Sequence, residues 1–288
     1  MTAISRVVIL GASGHIGRAL QEVLARESVD LFGHSSKTLD LTRSEALSVL
    51  DAVVDSDTVL VLAAALTPDR GQNIDTLMTN LAIAANVGRY LETRRVGRCV
   101  YLSSDAVYGF DVNPVTEETP AAPASYYALA KHTAERLLEY VATARDVPLL
   151  CLRLTAVFGP GDPHSAYGPN AFARSLARER AIQLFGDGEE RRDHIYVEDV
   201  ARLVTELIRG GASGLLNVAT GESRSFRDVA TAMCDLVPYD VTVASVPRRG
   251  SITHRWYDTT RLQAAVPGFK FTPCAVALRE TLKAFGAI

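Results

Sequence analysis

The chain opens with an unbroken apolar run, Arg6 to Leu10, whose β-branched and aliphatic side chains predict a strand buried on both faces. From Ile16 to Arg26 the spacing changes, and Ile16, Leu20, Val23 and Leu24 share one helical face. Val29–Phe32 reads as a short strand, Arg43–Val54 as a helix capped by Thr42, and Thr58–Ala63 as a strand. A long helix over Asn73–Thr93, a strand over Arg98–Ser103, a second long helix over Tyr126–Ala144 and a strand over Pro148–Val157 follow. Strands alternating with helices predict parallel βαβ units with right-handed crossovers, hence an α/β fold built on a doubly wound parallel sheet.

Beyond Phe158 the texture differs. Gly159–Pro169 reads as loop, Ala171–Glu179 as a short helix, Val197–Arg209 as an amphipathic helix and Leu215–Val218 as a strand. The tail from Glu222 mixes short helices with a basic loop, Pro247–Arg255.

Composition narrows the class of partner. The chain of 288 residues carries a net charge of −3, with 48% hydrophobic and 22% charged residues. Those are values of an ordinary globular protein and argue against a nucleic-acid wrapper, which needs a basic excess. The four cysteines, Cys99, Cys151, Cys234 and Cys274, have no metal-ligand spacing, and no metal site is expected. No apolar stretch approaches a membrane span and no secretory signal is visible, so a cytoplasmic, membrane-free protein is expected.

Gly11-Ala12-Ser13-Gly14-His15-Ile16-Gly17 joins the first strand to the first helix. Glycines there permit a tight turn and close approach of a pyrophosphate, and the helix N-terminus supplies free N–H groups and partial positive charge. Gly11, Ser13, Gly14, His15, Ile16 and Gly17 are therefore candidate cofactor contacts. The second strand runs out through His34, Ser35, Ser36 and Lys37, where an NAD-binding fold usually places an acid for the ribose 2′-hydroxyl. Without that acid these four residues suit a 2′-phosphate, which favours NADP with NAD as the alternative; a solvated polar loop is the other reading of the segment. Asp40, beside Leu41, is placed either to meet the adenine or to precede a helix cap.

Tyr127 and Lys131 stand four apart on the predicted long helix and so share a face. An ammonium beside a phenol favours the phenolate, which predicts a lowered tyrosine pKa and acid–base work. Tyr101 to Gly109, containing Ser103 and Ser104, ends a strand at the sheet edge where such folds bind ligands.

With these pieces in place the chain resembles an extended short-chain dehydrogenase/reductase, of the NAD(P)-dependent epimerase/dehydratase family that modifies nucleotide sugars. Further matching strings are Leu62-Ala63-Ala64-Ala65, Asn80, Val157 to Gly161, Leu184 to Gly188, Arg192 to Ala201 and Asn217 to Gly221. The resemblance implies a Rossmann domain over residues 1–160, rejoined by 197–221, and a mainly substrate-binding region over 161–288. It implies Tyr127 as general acid/base, Lys131 on the nicotinamide ribose and Ser104 on the reacting oxygen. Leu41, Leu62, Ala63, Ala64, Asn80 and Leu102 join the cofactor set, while Thr67, Ser104, Asp105, Arg192 and Arg249, or Arg248 in its place, face a nucleotide-sugar substrate. It also implies a homodimer through the two long helices, whose Ala82, Ala84 and Ala85 would permit close approach.

Departures from the family pattern narrow the reaction. Asp105 is present but Ala106 stands where a dehydratase carries glutamate, Asp105 stands where an epimerising reductase carries cysteine, and Ala156 replaces an asparagine near the diphosphate. Elimination favours an NADPH-dependent reductase of an NDP-linked keto-deoxysugar. The alternatives are an NDP-sugar 4-epimerase with tightly held NAD, and a non-catalytic NAD(P)-binding sensor or structural protein.

Overall fold

Alternate side chains of β1 (Arg6–Leu10) enter opposite layers, which is why Val7 to Leu10 carry no polar position. Val7 and Ile9 pack with α1 (His15–Leu24) on one face, and Val8 and Leu10 pack on the other. The computed structural model describes residues 5–163, 167–248 and 250–288. β2 (Asp30–His34) and β3 (Thr58–Leu62) flank β1, and β3 divides its side chains between the layers in the same way. Next come α2 (Ile74–Thr93), β4 (Arg98–Ser104), α3 (Tyr126–Ala144) and β5 (Leu149–Leu154). Asn73 and Ser125 cap the two long helices through their side chains, which sets the helix starts.

β6 (Ala156–Phe158), α4 (Pro169–Glu179), β7 (Ala181–Phe185) and β8 (Arg191–Tyr196) lie outside the main sheet. α5 (Val197–Arg209) packs on α1, and β9 (Gly214–Val218) pairs with β5. β10 (Ser223–Ser225), α6 (Phe226–Cys234), β11 (Thr242–Val246), α7 (Thr260–Ala265) and α8 (Cys274–Phe285) complete the chain. The main sheet has six parallel strands in the order β2-β1-β3-β4-β5-β9, beside a three-stranded sheet β10-β8-β6 and a two-stranded pair β11-β7. The order turns back at β1/β3, which opens a crevice at the carboxyl ends of those strands.

Three local expectations are corrected. Pro148–Val157 is not one strand: the chain leaves the main sheet at Thr155, whose hydroxyl donates to the Asp193 carbonyl at 2.8 Å, and β6 pairs with β8 instead. The segment after Thr42 is a 3₁₀ turn over Ser44–Ala52, and Thr42 does not cap it. Thr42 bonds back to Asp40 through its N–H at 3.0 Å and its hydroxyl at 2.6 Å. Strands β7, β8 and β11 form where the sequence pattern shows no strand signal. Among the described residues no helix is long and apolar enough to cross a membrane, and no cluster of metal-ligating side chains occurs.

Candidate active site

The crevice is a cleft of about 660 Å³. Its floor is the glycine turn after β1, its walls are the ends of β2 and β3, and its far end is Ser104, Tyr127 and Lys131. The glycines answer to the available space. Gly11 has φ +97°, and a Cβ on it would sit 2.6 Å from the Ala64 nitrogen; one on Gly17 would sit 2.2 Å from the Gly11 carbonyl oxygen. The turn is thus folded to a depth that only glycine allows, leaving the helix N-terminus bare toward the cleft. At the other wall His34 presents a buried Nε2 with no hydrogen-bond partner, and burial lowers its pKa. A backbone cradle plus a waiting imidazole edge fits a dinucleotide carrying an anionic ribose substituent.

Most of the residues read as cofactor contacts line this cleft: the glycine loop, His34 to Ser36, Asp40, Leu41, Ala63, Ala64 and Leu102. Thr67 lines it as well. Three do not. Asn80 turns its amide onto the main chain of Leu66, accepting at 2.7 Å and donating at 2.9 Å, so it holds the loop after β3. Leu62 is buried beneath the cleft against Ala84, which itself faces the core. Lys37 is exposed beyond the rim, and its main-chain N–H donates to Ser35 Oγ at 3.3 Å. One further residue contributes: Arg18 donates to the Gly161 carbonyl and, with His15 standing 3.8 Å from Asp162, ties the glycine loop to the segment after β6.

At the catalytic end the expected electrostatics are reversed. Lys131 is 5% exposed and donates to the Leu102 carbonyl at 2.7 Å, with its Nζ 5.8 Å from the Tyr127 ring. Burial pushes the Tyr127 phenol up to about 12, against the opposing hydrogen bond from Ser104, and pushes Lys131 down to about 8. Before a cofactor binds, desolvation outweighs the ammonium. The Tyr127 phenol is therefore a held proton. Ser104 anchors the turn after β4, its Oγ accepting from the Ala106 N–H at 3.1 Å.

Glu135 extends the spacing of Tyr127 and Lys131 by one more helical turn, and the sequence reading passes it over. Buried, it accepts from Ser103 Oγ at 2.5 Å and from Arg153 at 3.0 and 2.6 Å. The Arg153 guanidinium lies 4.6 Å from the ring of Tyr108, whose hydroxyl donates to Asn217 at 2.7 Å.

Two of the substrate candidates, Asp105 and Arg192, are engaged inside the protein. Asp105 accepts from the Tyr257 hydroxyl at 2.5 Å, and burial raises its pKa. Arg192 is outside the cofactor cleft: its guanidinium donates to Thr253 Oγ1 at 2.9 Å, faces Glu190 at 3.6 Å and lies 5.2 Å from the Phe110 ring. Arg249 lies outside the described residues.

The model of the NAD dependent epimerase/dehydratase family matches residues 7–219. The chain belongs to that family. Its relatives include the UDP-glucose 4-epimerase of Mycolicibacterium smegmatis, 27% identical across 97% of this chain and 98% of the relative. Among solved structures, RMD from Pseudomonas aeruginosa complexed with NADPH superposes with TM-score 0.88 at 24% identity, covering 98% of this chain and 99% of the other. The UDP-glucose 4-epimerase of Thermus thermophilus, complexed with NAD, gives TM-score 0.85 at 23% identity over 97% and 98% of the two chains. The chain is accordingly an NAD(P)-dependent enzyme of the nucleotide-sugar epimerase/dehydratase family.

Proposed function

We propose that the protein is an NADPH-dependent reductase of a nucleoside-diphosphate keto-deoxysugar. The observation that carries this reading is the make-up of the catalytic turn. Ser104 and the neutral phenol of Tyr127 offer a hydrogen bond and one transferable proton. Position 106 is alanine, and Asp105 is bound by the Tyr257 hydroxyl. Removing water from a sugar needs a second acid–base pair, whereas reducing a carbonyl needs one proton. Held in the cleft, a reduced nicotinamide would supply hydride to a carbonyl carbon. Ser104 orients the oxygen, Tyr127 delivers the proton to it, and Lys131 holds the Leu102 end of the cleft. The product is the alcohol.

A second reading, an NDP-sugar 4-epimerase, is favoured by the full-length similarity to the mycobacterial epimerase. Cofactor accounting separates the two. With purified protein, NADPH and a panel of NDP-keto-deoxysugars, reduced nicotinamide is expected to disappear mole for mole with ketosugar. Conversion of an NDP-hexose to its 4-epimer with no net change in nicotinamide overturns the reductase.

His34 supports NADP and makes a pH prediction. Its imidazole is held neutral by burial, whereas a 2′-phosphate favours the protonated ring. NADPH binding then takes up a proton, so affinity rises as the pH falls from about 8 toward about 6.5, above the range where the phosphate itself titrates. NADH binding lacks this slope. His34→Ala is expected to weaken NADPH about tenfold, or about 1.4 kcal/mol, and to flatten the pH dependence, as read by nucleotide fluorescence titration. Equal slopes for NADPH and NADH remove His34 from this role.

A further inference from the structure

The catalytic turn is gripped from a segment 150 positions further along the chain. Three main-chain carbonyls of that turn converge on one guanidinium. Arg255 donates through Nη1 to the Asp105 carbonyl at 2.8 Å, and through Nη2 to those of Gly109 at 2.6 Å and Tyr108 at 3.3 Å. Tyr257 adds its hydroxyl to the Asp105 carboxylate. The main chain of Arg255 is itself fixed on the opposite side: its N–H donates to the Arg191 carbonyl of β8 at 3.0 Å, and its carbonyl accepts from Ser223 Oγ of β10 at 2.7 Å. Between them, Val115 exchanges main-chain hydrogen bonds with Trp256 and Asp258 at 2.8 and 3.0 Å. One short segment therefore spans from the small sheet that carries Arg192 to the turn that carries Ser104.

Arg255 is 2% exposed, with its guanidinium 3.9 Å from the Asp105 carboxylate and 4.2 Å from the Phe110 ring. A buried ion pair of this kind is weak grounds for stability, because desolvation offsets much of its attraction. What a rigid fork of donors adds is geometry, since it fixes several carbonyls relative to one another.

We infer that Arg255 and Tyr257 are positioning residues, which set the catalytic turn, and with it the Ser104 hydroxyl, in register with the sheet β10-β8-β6. The inference rests on the reading of Ser104 as the group that orients the substrate oxygen. Ser104 is then located jointly by the two parts of the fold, through β4 from below and through Arg255 from the side.

The test compares wild type, Arg255→Ala, Arg255→Lys and Tyr257→Phe, all loaded with NADPH. Amide hydrogen exchange by mass spectrometry is expected to quicken in Arg255→Ala over residues 102–110, with peptides over 6–24 unchanged. In turnover with the active ketosugar, kcat falls about 10–100-fold in Arg255→Ala, the scale of a displaced reacting group. The Kd for NADPH stays within about twofold, since Arg255 itself does not line the cleft and the glycine loop is expected to be undisturbed. Arg255→Lys recovers part of kcat by restoring donors to the carbonyls. Tyr257→Phe, which removes one hydroxyl and keeps the ring, lowers kcat several-fold in a protein that still melts in one cooperative transition. Unchanged exchange over 102–110, or a wild-type kcat in folded Arg255→Ala, overturns the assignment. If the wild type reduces no ketosugar, the proposed reaction fails, and the exchange comparison alone still decides whether the segment holds the turn.

Discussion

Tyr127→Phe is expected to cut turnover about 10²–10⁴-fold, the contribution of a positioned proton donor, while leaving NADPH affinity and melting temperature unchanged. The change deletes only the hydroxyl, and the ring keeps its place on α3 beside Lys131. The direction of the pH profile follows from two displaced groups. Burial holds the phenol protonated to about 12, so it remains a donor through the neutral range. Lys131, pushed down to about 8, is charged below that value and neutral above it. Reduction needs a cationic, proton-rich site, so turnover declines as the pH rises through about 8. Steady-state kinetics of both proteins across that range decide the matter: a phenylalanine variant that matches wild type ends the catalytic role of Tyr127, and with it the reductase and epimerase readings alike.

The largest effect on stability is expected at Glu135. Its carboxylate is the bidentate partner of Arg153, both side chains being 6% exposed. Glu135→Ala leaves a buried guanidinium without its anion and is expected to cost about 3–5 kcal/mol in urea unfolding. Arg153 also lies against Tyr108, so damage spreads into the catalytic turn. The double variant Glu135→Leu/Arg153→Met removes both charges and is expected to regain most of the loss, because a packed apolar pair avoids the desolvation that the ions incur. A loss below about 1 kcal/mol in the single variant would show that water reaches the pair after all.

What the amino-acid pattern discloses, and what it hides, follows from which interactions are local. β1 reads correctly because both its faces are apolar, and α3 has the predicted bounds because Ser125 caps it through its own side chain. The crossing at Thr155 leaves no mark: Leu154 to Phe158 holds no glycine or proline to interrupt an extended run, and the exit from the sheet depends on a carbonyl at Asp193. β8 is invisible for the opposite reason. Its residues Arg191 to His194 are polar, yet Asp193 is fully buried, bonded by Thr220 and Gly221, and pushed up to about 6 by that burial. At the site, the glycine loop and the Tyr127–Lys131 pair are short-range motifs and are legible. The phenol's pKa is not, since neighbour spacing says nothing about how much water burial removes. Asn80 and Arg192 have the chemistry of ligand contacts but spend it on Leu66 and Thr253, partners that only the fold brings near.

The exit at Thr155 has a bearing on how such a protein changes over time. The chain leaves the main sheet there, returns through α5 and β9, and leaves again into β10. The part that carries the two small sheets is therefore woven through the part that carries the main sheet and is not appended to it. It cannot be exchanged as a cassette, since any cut that frees it also removes the edge strand β9 from its place beside β5. Substitutions in its loops, one residue at a time, can alter that part while the main sheet β2-β1-β3-β4-β5-β9 is kept.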